Sequence, residues 1–140
     1  CDHIIRYDNE NIAEKVSDIT NGAKMPVVFD GVGASTWEAS LDCLAPRGLM
    51  VSYGNASGPV KDVNLGILAA KGSLFVTRPT LFAYTDTREA LLSAAADLYD
   101  VIKSGAVKVA INAEYKLADA AQAHKDLEGR KTTGSTLLRP

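Results

Sequence analysis

The run Pro26-Val27-Val28-Phe29-Asp30 is nearly continuous in apolar side chains and is closed at once by Gly31-Val32-Gly33. A strand with one wet face alternates polar and apolar residues. An unbroken apolar run of this length therefore predicts a strand covered on both faces, as in a parallel sheet flanked by helices. The pattern recurs at Leu49 to Tyr53, which runs into Gly54-Asn55-Ala56-Ser57-Gly58-Pro59, and at Ser73 to Thr77; His3 to Tyr7 is a shorter run of the same kind. Helical spacing fills the intervals. Ile12, Val16 and Ile19 recur one helical turn apart until Asn21-Gly22. Ser35 with Glu38 predicts a capping box for a helix carrying Trp37, Leu41 and Leu44 and closed by Pro46 and Gly48. Asn64 to Lys71 reads as a short helix stopped by Gly72, and from Asp86 and Glu89 onward Leu91, Leu92, Ala95, Leu98, Tyr99 and Ile102 mark a long amphipathic helix ending at Ser104-Gly105. Strands alternating with helices predict an α/β fold, a doubly wound parallel sheet. Beyond Ala106 the alternation breaks: Val107 to Leu117 predicts one or two strand segments, Ala118 to Glu128 a helix and Ser135 to Leu138 a terminal strand.

With 140 residues the chain has the length of one domain or a little more, at roughly 100–200 residues per domain. A formal charge of −2 offers no basic face for a phosphate backbone, so nucleic acid is not an expected partner. No apolar run reaches the ~18 residues of a membrane span, and the N-terminus lacks the charged and apolar regions of an export signal. Cys1 and Cys43, the 2 cysteines, have no spacing that would make a disulfide framework or zinc site, which fits a reducing, cytoplasmic compartment. The chain opens at Cys1 and not at a methionine, and is read as a piece of a longer protein.

Ligands of open α/β sheets bind beyond the carboxyl ends of the strands. Asp30–Gly33, Tyr53–Gly58 and Thr77–Thr80 each follow a predicted strand directly, so together they predict a shared crevice. Neither a Gly-x-Gly-x-x-Gly nor a Gly-x4-Gly-Lys-Ser/Thr segment is present, so the usual backbone cradles for phosphate are missing from these residues. His3 and His124 stand alone in sequence, without a nucleophile or acid beside them, and Cys43 is expected to be an inert small apolar residue on a packed helix. Asp30 has no acidic pair before it and is not expected to hold Mg²⁺.

The order Asp-Gly-Val-Gly (30–33), Thr-Trp-Glu-x-Ser-Leu-Asp-Cys-Leu (36–44), Arg-Gly-Leu-Met-Val-Ser-Tyr-Gly-Asn-Ala-Ser-Gly (47–58), Asn-Leu-Gly-Ile-Leu (64–68), Lys-Gly-Ser-Leu-Phe-Val-Thr-Arg-Pro-Thr-Leu (71–81) and His-x3-Leu-Glu-x-Arg-x-Thr-x-Gly (124–134) closely resembles the NADPH:quinone oxidoreductases. These form the zeta-crystallin-like, zinc-independent branch of the medium-chain dehydrogenase/reductases. The resemblance covers nearly the whole chain and implies the C-terminal part of such an enzyme. Residues 1–106 would be a Rossmann-type dinucleotide-binding domain lacking its first βαβ unit, and 107–140 a return into a GroES-like catalytic domain. In the usual strand order 3-2-1-4-5-6, His3–Tyr7 would be strand 3, and Val27–Phe29, Leu49–Tyr53 and Leu74–Thr77 strands 4, 5 and 6.

The resemblance also implies roles. Tyr7 would lie beside the adenosine 2′-phosphate of NADPH. Tyr53, Gly54, Asn55 and Ser57 would face the nicotinamide ribose, the backbone of the loop Thr77, Arg78 and Pro79 would meet the nicotinamide carboxamide, and Arg130 would lie near the cofactor phosphates. The intact enzyme would pass hydride from NADPH to a quinone and work as a homo-oligomer, expected to be a dimer, whereas this chain alone would be inactive and would supply no proton donor. Two other readings stay open: a non-enzymatic doubly wound regulatory or interaction domain, against which the Tyr-Gly-Asn-Ala-Ser-Gly and Thr-Arg-Pro segments speak, and an enoyl or alcohol reductase of the same superfamily.

Overall fold

The computed structural model describes residues 1–140, which form two compact units, Cys1–Ala83 and Tyr84–Pro140. In the first, helix α1 (Ile12–Ile19) begins at Asn11, whose side chain accepts from the amides of Ala13 and Glu14. Strand β1 (Met25–Asp30), helix α2 (Trp37–Asp42), strand β2 (Leu44–Ser52), helix α3 (Gly66–Ala70), strand β3 (Phe75–Thr77) and the short helix α4 (Leu81–Tyr84, which runs across the division) follow. The sheet is parallel in the order β1-β2-β3. This is the spatial sequence expected for Val27–Phe29, Leu49–Tyr53 and Leu74–Thr77. The core lies between sheet and helices, with Leu41, Leu44, Met50 and Leu74 buried and Val28, Trp37, Ile67 and Leu68 packed on them.

Several expectations are corrected. His3–Tyr7 is not a strand: Asn9 and Glu10 amides donate to the Arg6 carbonyl in a turn, and Ile4 is exposed. A strand needs a neighbour for its backbone groups, and the only sheet of this unit begins at β1. The Ser35–Glu38 capping box does not form. The Ser35 amide donates to Ser57 Oγ, and the N-cap is Thr36, whose hydroxyl is engaged with Asp30. Pro46 and Gly48 do not end a helix either. The chain is already in β2 at Leu44, and the register jumps from Met25 opposite Leu44 to Val27 opposite Leu49, so the intervening residues bulge. At the bulge Arg47 is left-handed and its amide donates to the Gly72 carbonyl, while a Cβ on Gly48 would stand 2.8 Å from the Ala45 carbonyl. Finally, β1 is not covered on both faces, since Phe29 is 70% exposed; only the central β2 is well buried.

The second unit holds helix α5 (Arg88–Lys103), capped by Thr87 Oγ1 accepting from the Ala90 amide, then strand β4 (Ile111–Lys116), a 3₁₀ turn at Leu117–Asp119, helix α6 (Ala120–Glu128) and strand β5 (Ser135–Arg139). Thr87, one residue after the expected start, is the cap. Strands β4 and β5 pair in parallel, and the Arg139 guanidinium meets Glu114 with two bonds, 2.6 and 2.9 Å, across the pair. That guanidinium holds the Glu114 carboxyl below its usual range. Tyr115 donates to Asp126 at 3.1 Å, and this bond to a carboxylate raises the phenol's pKa.

Candidate functional site

The carboxyl ends of β1, β2 and β3 stand side by side, and the loops leaving them are tied to one another. Asp30, the last residue of β1, is 4% exposed. Its Oδ1 accepts from the amides of Val32 (2.7 Å) and Gly33 (2.9 Å), and its Oδ2 accepts from the hydroxyls of Thr36 and Ser40, both at 2.7 Å. Burial works to raise the Asp30 pKa. The bonds from Thr36, Gly33, Ser40 and Val32 oppose it and prevail, so the carboxyl sits below its usual value and stays charged. The loop 31–34 is thereby fastened to the first turns of α2.

The loop after β2 rests on that base. The Tyr53 amide donates to the Asp30 carbonyl at 2.9 Å. A Cβ on Gly54 would stand 2.1 Å from the Gly31 carbonyl oxygen, and one on Gly33, where φ is +93°, would stand 2.6 Å from the Gly58 carbonyl. Glycine at 54 is thus demanded by the contact of one loop with the other. The Tyr53 ring lies over Gly31, with its phenol oxygen 3.0 Å from where a Cβ would be. Ser57 Oγ donates to the Val32 carbonyl (2.8 Å) and accepts from the Ser35 amide (3.0 Å). From the other side comes Arg78, directly after β3, whose Nη1 donates to the carbonyls of Ser52 (2.9 Å) and Gly54 (3.2 Å). The Asn55 amide, in the orientation its partners dictate, accepts from Arg78 Nη2 at 3.3 Å and donates to the Gly54 carbonyl at 2.9 Å. A cleft of about 450 Å³ opens between the continuations of the first two loops, lined by Ala34, Ser35, Trp37, Glu38, Pro59 and Lys61 among others.

Of the residues read from the sequence, Tyr53, Gly54, Asn55, Ser57, Thr77, Arg78 and Pro79 belong to this cluster of strand ends. Tyr7 stands half exposed in the turn of residues 7–9, with no hydrogen bond to the cluster. Arg130 is exposed after α6 in the second unit, in a left-handed conformation (φ +55°). Sequence reasoning missed the Asp30 network. Its trace is there: Thr36 and Ser40 are one helical turn apart, on one face of α2, just beyond an acidic strand end. Cys43 is buried as expected, and burial first, with Asp42 adding to it, pushes its thiol pKa up.

Nicotinamide cofactors need backbone exposed at adjoining strand ends, and the chain provides three such ends; it has no Gly-rich helix start for the pyrophosphate. No group of three or more His, Cys, Asp or Glu that could hold a metal ion gathers among these residues.

The profile of the zinc-binding dehydrogenase family matches residues 1–138. A quinone oxidoreductase of Pseudomonas aeruginosa is 57% identical over 136 residues, covering 97% of this chain and 42% of the relative. Quinone oxidoreductase 1 of Escherichia coli is 53% identical over 139 residues, 98% of this chain and 42% of its own. The crystal structure of E. coli quinone oxidoreductase complexed with NADPH superposes with a TM-score of 0.94 at 53% identity, over 99% of this chain and 43% of that one. The chain thus spans about 42% of the length of these curated relatives. By sequence and by fold, this chain belongs to the zinc-binding dehydrogenase family and matches the Rossmann-type NAD(P)-binding portion of quinone oxidoreductases.

Proposed function

We propose that the chain is the C-terminal part of an NADPH-dependent quinone oxidoreductase. Residues 1–106 would contribute to the dinucleotide-binding domain and 107–140 would return into a GroES-like catalytic domain. The observation that carries this reading is the tied cluster of strand ends, in a chain 53% identical to a protein whose crystal structure contains NADPH. When bound, NADPH supplies hydride, which with one proton reduces a quinone to the hydroquinone and leaves NADP⁺. The first unit's own part is to bind and orient: Tyr53, Gly54, Asn55 and Ser57 on the ribose side, the backbone of Thr77, Arg78 and Pro79 toward the carboxamide, and Tyr7 toward the 2′-phosphate.

By itself the chain binds NADPH poorly and lacks quinone reductase activity in this reading. Losing the pyrophosphate cradle removes charge-assisted bonds of about 1.5–3 kcal/mol each, and the second wall of the substrate cleft would come from a catalytic domain. A dimer and a reducing, cytoplasmic compartment complete the proposal. The exposed Phe75 and Val76 on β3, the end strand of the sheet, support the first, and the free thiols of Cys1 and Cys43 are compatible with the second. No helix is long and apolar enough to cross a membrane. A second reading, reduction of a conjugated alkene, has one observation in its favour: a 2-haloacrylate reductase of Burkholderia is 41% identical over 144 residues, spanning 42% of that protein. Assaying the intact enzyme for NADPH oxidation with benzoquinone and with 2-chloroacrylate decides between them. The proposal predicts turnover with the quinone, and turnover with the acrylate alone overturns it.

A further inference from the structure

Arg78 is exposed and takes part in no ion pair with a carboxylate. A free surface arginine would wave in solvent, yet this guanidinium is committed to protein carbonyls on the neighbouring loop. The β2–β3 ladder ends at Val51 opposite Thr77, so the backbone of β3 offers nothing to the residues beyond Ser52. Arg78 continues the ladder with its side chain. Nη1 reaches the carbonyls of Ser52 and Gly54, one on each side of Tyr53, and Nη2 reaches the Asn55 amide oxygen. On the opposite side the Tyr53 amide is bonded to the Asp30 carbonyl. Tyr53-Gly54-Asn55 is thus gripped between β1 and β3, and the grip toward β3 is one planar fork of donors that lysine cannot reproduce.

We propose that Arg78 is a positioning residue: it fixes the shape of the Tyr53–Asn55 loop that meets the dinucleotide, and acts on the cofactor through that loop. The inference rests on the cofactor reading above. It differs from a direct contact of the guanidinium with NADPH, and from a general contribution to folding.

The test uses the intact enzyme, with NADPH affinity read by fluorescence titration and stability by urea unfolding followed by circular dichroism. Arg78→Met is expected to raise the Kd for NADPH by about tenfold, the scale of one or two lost bonds to a charged donor, with the unfolding midpoint unchanged. Arg78→Lys is expected to fall between wild type and Arg78→Met, and millimolar guanidinium is expected to restore affinity to Arg78→Ala, in which the truncated side chain leaves the place of the fork empty. Wild-type affinity in Arg78→Met overturns the inference. So does a loss that guanidinium cannot restore and that travels with a lowered midpoint, which would mark Arg78 as a general stabiliser. If the wild-type enzyme itself fails to bind NADPH, the cofactor reading falls first, a result distinguishable from either of these.

Discussion

Leu41, Leu44 and Met50 in the first unit are 1% exposed or less, whereas Leu91, Leu98 and Tyr99 of α5 in the second leave 51%, 55% and 59% of their surface to solvent. Both regions have amphipathic helices and parallel strands. Only the first closes a core, because a three-stranded sheet with a helix packed on it can enclose side chains, while a two-stranded sheet buries little. Ala123 is the one buried apolar residue of the second unit. A contiguous apolar helix face left in water is the mark of a surface built for a partner. The first unit, with its core and its tied strand ends, keeps its shape within these residues.

Truncating buried and exposed side chains should separate the two units by the widest margin. Leu44→Ala should cost about 2–5 kcal/mol in urea unfolding of the chain, followed by the fluorescence of the single tryptophan, Trp37, because it empties the centre of the first unit. Leu98→Ala, followed by the far-ultraviolet circular dichroism that reports α5 itself, should stay within about 0.5 kcal/mol, as an exposed site does. Equal losses would mean that α5 packs as tightly as the sheet.

Asp30→Asn should follow, at about 1–3 kcal/mol, since an amide cannot accept from the four donors that the carboxylate satisfies. The pH dependence has a definite sign. The native pKa of Asp30 is depressed below 3.8, so the unfolded chain takes up the proton first. Its contribution is present at neutral pH and is lost as pH falls from roughly 5 through the native pKa. Urea midpoints of the wild type should drop more steeply over that range than those of Asp30→Asn. Parallel slopes would remove Asp30 from the account.

Gly54→Ala tests the loop contact. A methyl 2.1 Å from the Gly31 carbonyl cannot be accommodated without moving one loop, at about 1–3 kcal/mol, while Gly58→Ala meets no atom within 4 Å and bears only the strain of its left-handed φ, +108°. A Gly54→Ala chain as stable as wild type would show that the loops are not pressed together. The smallest effect belongs to the second unit: Thr87→Ala removes the cap of α5 and should lower its helicity, by about 1 kcal/mol, without shifting the Trp37 transition.

The sequence made the parallel α/β architecture legible, since apolar runs ending in glycine carry their own signature, and it placed the helix at α5 to within two residues of its start. It also picked out the loops at 30–33, 53–58 and 77–80. What it misjudged were features decided by neighbours. His3–Tyr7 has the composition of a strand and lacks a strand beside it. Ser35 has the spacing of a cap, but Ser57 and Asp30 draw that segment elsewhere. Pro46 and Gly48 look like helix punctuation and mark a bulge. Arg78 is visible as a cation at a strand end, yet its commitment to Ser52 and Gly54 carbonyls depends on how β2 and β3 register.

Amide chemical-shift mapping of the ¹⁵N-labelled chain during titration with NADPH registers weak binding residue by residue, and so shows whether the tied strand ends face the cofactor. Fast-exchange shifts are expected at Gly31 to Ala34, Tyr53 to Gly58 and Thr77 to Thr80 except Pro79, saturating only at high NADPH concentration, with the amides of α1 and α5 unmoved. Shifts centred on α1 or α5, or none at the three strand ends, would contradict that placement.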